Sequence, residues 1–364
     1  VTTPSRPRLS GTVRVVGTGL LGASIGLALS GRGIDVVLHD ASPGQQALAV
    51  DYGAGRAAAA GDAPALIIVC VPPDVVAETV AAELAAHPDA VVTDVASVKL
   101  EPVEELRRRG VDIVRYIGSH PLAGRERGGA ISARADLFRA RPWVICRDEE
   151  TPGWALALVE DLALDLGAVP IEMTPEEHDR SVALVSHLPQ IVASALASRL
   201  VDAPDTALAL AGNGLRDTTR IAASSPELWV QILSSNAAPV VAELDALIAE
   251  LGTVADALRD VGAAGARRTV AEEIASGNAG VARLPGKHGQ DRRFEQLVVL
   301  VDDRPGQLGR LLSDMGEINV NMEDLRLEHS PGAQLGLAEI SVLPEALPRA
   351  VEDLAARGWQ IASV

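Results

Sequence analysis

The chain has 364 residues, room for two or three domains each with its own core. Hydrophobic residues make up 48% and aromatics only 2%, so Ala, Val, Leu and Ile must fill those cores, and on this alanine-rich background motifs carry more information than helical periodicity. The formal net charge of -17 argues against a nucleic-acid partner, because phosphate binding needs a basic face. The polar stretch 1–10 lacks the apolar core of a signal peptide and no long uninterrupted apolar span stands out, so a cytoplasmic protein away from the membrane is expected. Cys70 and Cys146 lie in apolar strand-like runs and read as buried core thiols rather than a disulfide or a metal site.

In chain order, the first element is a short apolar strand, Val13-Arg14-Val15-Val16, running into Gly17-Thr18-Gly19-Leu20-Leu21-Gly22 and a helix over 23–29. In such a G-x-G-x-x-G turn the first glycine allows the tight bend, the second lets a pyrophosphate approach the backbone, and the third lets the helix pack on the sheet. The phosphates then sit at a helix N-terminus, where free N–H groups favour anions. Alone the motif is weak. Its context strengthens it, because a second strand over 35–40 ends in Asp40, about where a carboxylate binds the adenine ribose hydroxyls. Asp40 would repel a 2'-phosphate and no arginine follows it, which favours NAD over NADP.

Further strand-like runs at 65–71, 90–94, 111–117 and 143–146 alternate with helical stretches, which predicts a doubly wound parallel sheet. Ligands of such sheets bind beyond the carboxyl ends of the strands. Val71-Pro72-Pro73 would pass beside the cofactor, and the loop 94–99 would place the Ser97 hydroxyl near the nicotinamide. The run Ser119-His120-Pro121-Leu122-Ala123-Gly124 sits where the strand 111–117 should end, which makes His120 the leading candidate for a catalytic base.

After 169–173 the strand pattern stops. Thr174-Pro175-Glu176-Glu177 reads as an N-cap, a proline in the first turn and acids beside the helix dipole, opening a helix through His178 and His187 toward Leu200. Pro189 should kink or break that helix. His178 reads as structural, and His39, His87, His288 and His329 receive no role. Residues 228–258 read as mostly helical and apolar on more than one face, the mark of burial against another subunit. Residues 271–293 turn to Gly, Lys, Arg and His around Leu284-Pro285-Gly286-Lys287, a linker signature. Beyond them the order strand (294–301), helix (306–316), strand (320–327), strand (335–342), helix (347–357), strand (359–364) predicts a ferredoxin-like βαββαβ module.

Three features together resemble the prephenate and arogenate dehydrogenases of tyrosine biosynthesis. They are the glycine turn with Asp40, the run 119–124, and Val185-Ser186-His187-Leu188-Pro189 followed by Asp217-Thr218-Thr219-Arg220 and Trp229. The last module, with Asp303-Arg304-Pro305-Gly306 at its first strand–helix turn, looks like an ACT domain. The resemblance implies a Rossmann-type NAD-binding domain (1–172), an all-α substrate and dimerisation domain (173–280), a linker (281–293) and an ACT regulatory domain (294–364). It implies an oxidoreductase acting on a CH–CH donor, the NAD-dependent oxidative decarboxylation of prephenate to 4-hydroxyphenylpyruvate, in a homodimer with tyrosine as effector at the ACT domain.

The chemistry of that reaction sets its own needs. The C4 hydroxyl loses a proton as hydride departs, so a neutral imidazole suits the acceptor, and the resemblance assigns this to His120 with Ser97 bonded to the hydroxyl or to the histidine. Arg220 matches the clamp on the ring carboxylate. His187, Gln190 and Trp229 would line the same pocket, with Arg125 and Glu126 near its entrance. Gln190 departs from many relatives, which carry a second histidine there; the amide can still hydrogen-bond but cannot be cationic. Arg125 would favour the pyruvyl carboxylate of prephenate over the ammonium of arogenate, while Arg127 and Arg216 read as surface or salt-bridge residues rather than ligands. The rivals are an arogenate or 4-amino-4-deoxyprephenate dehydrogenase and, from another class, a non-catalytic NAD and amino-acid sensor. Ser97, His120 and Arg220 together argue against the sensor.

Overall fold

The computed structural model describes residues 6–123, 129–147, 150–284, 294–329 and 335–363. The chain divides into two compact units, one made of residues up to Val201 with Thr219–Leu247, the other of Asp202–Thr218 with Ile248–Val364.

The first unit is built on an eight-stranded sheet. Its strands are β1 (Thr12–Val16), β2 (Val36–His39), β3 (Arg56–Ala57), β4 (Pro64–Val69), β5 (Val91–Asp94), β6 (Tyr116–Pro121), β7 (Pro142–Cys146) and β8 (Val169–Met173), in the order β3-β2-β1-β4-β5-β6-β7-β8. Successive side chains of a strand face opposite sides, and both sides here are dry. Leu66 and Ile68 of β4 join Val13, Val15, Ile25 and Leu29 in one core, while Ile67 and Val69 join Val76, Val80, Val92 and Leu106 in another. Helices on both faces explain why these strands are continuous apolar runs rather than alternating ones. The strand order reverses at β1, so the crevice beyond the carboxyl ends of β1 and β4 is the expected ligand site.

The parallel sheet is as predicted, with one exception: β6 and β7 run antiparallel, pairing Ser119 with Ile145 and His120 with Val144. The strand predicted at 111–117 lies at Tyr116–Pro121. Residues just before it turn instead, because the Arg115 guanidinium donates to the carbonyls of Leu84, His87 and Ala90 and closes the loop there. His120 is therefore inside the last rungs of β6 rather than beyond it. Cys146 is buried and Cys70 half-buried, both as free thiols.

Thr174 opens the next helix with a full capping box: its hydroxyl accepts from the Glu177 N–H at 3.2 Å and the Glu177 carboxylate accepts from the Thr174 N–H at 2.9 Å. Pro189 does not break the helical path. Helix Pro175–Val182 passes through a π turn, Ala183–His187, into helix Leu188–Ser198. The wider turn absorbs the missing proline N–H and keeps its ring off the preceding carbonyl, so the chain stays helical. By length and composition Pro175–Ser198 would pass as a membrane span, although Glu176, Glu177, Asp179 and Arg180 interrupt its apolar run. It carries His178, Asp179 and His187, all buried and hydrogen-bonded to the rest of this unit. The helical stretch predicted over 228–258 is two helices, Pro226–Ser235 and Ala237–Arg259, parted at the buried Asn236.

In the second unit, helix Ala266–Val281 runs well into the segment predicted to be a linker from residue 271; residues 285–293 lie outside the described residues. The strands β9 (Glu295–Asp302), β10 (Asp324–His329), β11 (Leu335–Val342) and β12 (Gln360–Ser363) form an antiparallel sheet in the order β10-β11-β9-β12. Helices Gln307–Glu317 and Leu347–Ala356 follow β9 and β11, so the predicted strand and helix order is observed within a few residues. Leu297, Val299, Ile340, Leu311, Met315 and Leu354 form the core of this module.

Candidate active site

The glycine turn is shaped as its spacing predicts. Gly17 has φ +95°, and a Cβ there would lie 2.5 Å from the Cys70 carbonyl oxygen. A Cβ on Gly22 would lie 1.9 Å from the Gly17 carbonyl, so the helix Leu20–Ser30 can only start here against a bare backbone. Gly19, by contrast, has nothing within 4 Å of such a Cβ. The open face at Gly19, at the N-terminus of the helix whose first turn is Leu20 and Leu21, is the cradle a pyrophosphate needs, and the residues present fit a dinucleotide.

Asp40 stands at the end of β2 as expected, but it also builds the turn. Its Oδ2 accepts from the Thr18 N–H at 2.7 Å and the Thr18 hydroxyl at 2.8 Å, and its Oδ1 accepts from the Ser42 N–H at 2.8 Å. Burial alone would raise its carboxyl; the hydrogen bonds from Thr18 and Ser42 outweigh that and hold it below the usual carboxylate range. Val71 is half-buried and Pro72 exposed, leading into the short turn Pro73–Val75 that packs against helix Pro226–Ser235, the element carrying Trp229.

His120 sits in a chain of hydrogen bonds that the sequence reading did not find. Its Nδ1 is 2.8 Å from Nε2 of His178, and Nδ1 of His178 is 2.7 Å from Oδ1 of Asp179. The Asp179 carboxylate caps the helix Leu100–Arg108: Oδ1 accepts from the Lys99 N–H and Oδ2 from the Leu100 N–H, each at 2.9 Å. His178, read from the sequence as structural, is fully buried and touches the proposed base directly. Ser97 makes no hydrogen bond to His120 among the described residues; that ring nitrogen is taken by His178.

Beneath this chain lies a buried ion pair. Lys99 Nζ meets Asp94 Oδ1, and Asp94 also accepts from the Ala96 N–H at 2.8 Å and the Tyr116 hydroxyl at 2.7 Å. Burial, with the neighbouring Asp94, pushes the Tyr116 phenol well above its ordinary value. Burial, followed by His178, Lys99 and His187, pushes His120 well below the ordinary histidine value, so the imidazole is neutral near pH 7. Burial also lowers His178, outweighing its bond to Asp179, and holds His187 at about 4.

The helical candidates converge in part. Asn236 Nδ2 donates to the Asp179 carbonyl at 2.8 Å, which fixes the orientation of the amide, and its other proton faces Nδ1 of His187 at 3.1 Å. His187 therefore carries its proton on Nε2. Its ring stands edge-on to Trp229, centroids 6.0 Å apart. Gln190 is buried and donates to the Ser194 hydroxyl at 3.2 Å. Arg220 is exposed, without an ion-pair partner among the described residues, and starts a short turn, Arg220–Ala222, that packs on the helix carrying Gln190. Arg125 and Glu126, like Gly124 and Arg127, lie outside the described residues. The sequence reading assigned no role to Lys99, Asp94, Tyr116, Asp179 or Asn236 and a merely structural one to His178; the adjacent His178–Asp179 pair in the first turns of a capped helix was the one available signal.

A dinucleotide cradle, a neutral imidazole at a strand end and a helical wall define a nucleotide-dependent oxidoreductase. Sequence comparison gives the family. The profile "Prephenate dehydrogenase, nucleotide-binding domain" matches residues 25–172, and "Prephenate dehydrogenase, dimerization domain" matches residues 174–271. The chain is 35% identical over 358 residues to a protein of Streptomyces niveus, "Probable prephenate dehydrogenase NovF", covering 96% of this chain and 98% of the relative. Among solved structures, prephenate dehydrogenase from A. aeolicus in complex with hydroxyphenyl propionate and NAD+ is 27% identical with a TM-score of 0.65, covering 75% of this chain and 99% of that one. Synechocystis arogenate dehydrogenase is 28% identical with a TM-score of 0.61, covering 74% and 99%. The chain belongs to the prephenate dehydrogenase family and is an NAD-dependent oxidoreductase.

Proposed function

We propose that this enzyme catalyses the oxidative decarboxylation of prephenate to 4-hydroxyphenylpyruvate in tyrosine biosynthesis. The observation that carries the reading is His120: a neutral imidazole at the carboxyl end of β6, whose Nδ1 is occupied by His178 and whose Nε2 has no hydrogen-bond partner among the described residues. NAD, when bound, supplies the acceptor for the hydride leaving C4 of the substrate. His120 takes the C4 hydroxyl proton as that hydride leaves; the bond from C1 to its carboxylate then breaks, CO2 departs, the electron pair of that bond makes the ring aromatic, and the phenolate oxygen takes a proton back to give the phenol. Ser97 bonds the same hydroxyl. Gly17, Gly19 and Gly22 hold the pyrophosphate, with Asp40 on the adenine ribose. Arg220 grips the ring carboxylate, and His187, which offers an Nε2–H donor, lines the pocket with Trp229 and Gln190.

Arogenate is the second reading, supported by the similarity to an arogenate dehydrogenase structure. Arg125 and Glu126 belong to the substrate entrance, and Arg125→Ala should erode a preference for prephenate over arogenate. The C-terminal module, with its strand and helix order, acts as a ferredoxin-like ACT domain binding an amino acid such as tyrosine, and the domains divide at residues 172, 280 and 293. The protein works in the cytoplasm as a homodimer. The test is NADH formation from NAD with prephenate and with arogenate, with and without tyrosine. Turnover of prephenate slowed by tyrosine is expected, and no turnover of either substrate would overturn the assignment.

A further inference from the structure

His120 can accept a proton only through a nitrogen that carries none, and a neutral imidazole has two tautomers to choose from. The surrounding hydrogen bonds decide which. Asp179 is an acceptor on both oxygens, because the N–H groups of Lys99 and Leu100 already point at it. Nδ1 of His178, 2.7 Å away, must therefore be the protonated nitrogen of that ring. With His178 neutral, its Nε2 is left as an acceptor, and the group facing it is Nδ1 of His120 at 2.8 Å. That nitrogen must donate, which places the proton of His120 on Nδ1 and leaves Nε2 bare.

We propose that His178 and Asp179 are positioning residues that lock His120 in its Nδ1–H tautomer and so create the base at Nε2. The inference deepens the reading of His120 as proton acceptor and rests on it. Three structural features make the lock rigid. Asp179 is held by the first N–H groups of helix Leu100–Arg108, its own carbonyl accepts from Asn236, and His178 is fully buried between its partners. The lock also spans the two regions that the family profiles match, since His120 lies within 25–172 and the His178–Asp179 pair within 174–271. A shift of helix Pro175–Val182 away from β6 would release the tautomer without touching NAD.

Asp179→Ala is the sharpest variant. It removes the acceptor facing Nδ1 of His178, so nothing holds the proton on that nitrogen and the donor and acceptor order that keeps Nε2 of His120 bare is lost. The expected result is a fall in kcat of about a hundredfold, with the KM for NAD and the binding of NADH unchanged. His178→Gln keeps an acceptor and a donor in place and should recover part of that loss relative to His178→Leu. The unaltered protein, labelled with 15N-histidine, is the decisive sample: its two-bond proton–nitrogen spectrum should show His120 protonated at Nδ1, the signal being assigned by its absence in His120→Asn. Protonation at Nε2, or an Asp179→Ala enzyme with wild-type kcat, would overturn the proposal. A His120→Asn enzyme that still turns over prephenate would instead remove the base assignment itself, so the two failures are distinguishable.

Discussion

Three histidines, His120, His178 and His187, lie within one hydrogen-bonded cluster, and burial disfavours the charged form of each. Nε2 of both His120 and His187 is without a hydrogen-bond partner among the described residues, but in His187 the bond from Asn236 to Nδ1 places the proton on Nε2, which separates the base from its supports. His120→Asn should cut turnover with prephenate by at least about a hundredfold while fluorescence titration shows NAD affinity within twofold. The same burial has a consequence for stability. A histidine whose folded pKa is lowered contributes stability that is present above the unfolded value and is lost as pH falls toward the folded one. For His187 that window runs from 6.5 down to about 4, and across it the fold should lose roughly 3 kcal/mol. Urea unfolding at pH 7 and pH 4.5 measures it, and a His187→Gln variant should show a shallower fall.

At the level of elements, two junctions hold the site together. The first is the turn from β1 into helix Leu20–Ser30, where Gly22 abuts the Gly17 carbonyl. Gly22→Ala forces the helix off the strand, and both NAD affinity and thermal stability should drop together, because the pyrophosphate cradle and the helix packing are the same contact. The second is the end of β5, where Lys99 and Asp94 pair in a site closed to water. Removing one partner strands the other charge, so Lys99→Met should cost about 3–5 kcal/mol in denaturant unfolding. Replacing both, as Asp94→Asn with Lys99→Met, should recover part of that loss. Wild-type stability in the single variant would show that the pair does not hold the end of β5 in place.

At the scale of the whole molecule, the second unit shows an apolar face without a partner among the described residues. Ile248, Leu251 and Leu258 fall on one side of helix Ala237–Arg259 and are 57%, 59% and 56% exposed, and Ile274 of helix Ala266–Val281 is 65% exposed. Monomeric proteins seldom expose such a face, and residues 174–271 match a dimerization domain. The proposed homodimer should bury it. Sedimentation velocity is expected to show a dimer for the unaltered chain and a monomer for Ile248→Asp with Leu251→Asp. A double variant that remains dimeric would place the interface elsewhere.

Much of this architecture was legible in one dimension because its causes are local. The glycine turn depends on backbone close approach at fixed spacing, the cap at Thr174 on two residues three apart, and the C-terminal module on runs of alternating and helical pattern. Where the reading went astray, the cause came from a distance. Arg115 closes a loop on three carbonyls and moves β6 later than its apolar run implied. A π turn lets Pro189 stay within a continuous helix.

The candidate site divides along the same line. From the sequence alone came the dinucleotide turn, Asp40, and His120 as the residue to watch, since each is marked by its neighbours in the chain. Tertiary structure alone decided what His120 is bonded to. His178 is 58 positions away, Asp179 is tied to Lys99 and Leu100 on another element, and Asn236 bridges from a third. A tautomer is chosen by the donors and acceptors that folding brings within about 3 Å, and no spacing along the chain records which these will be.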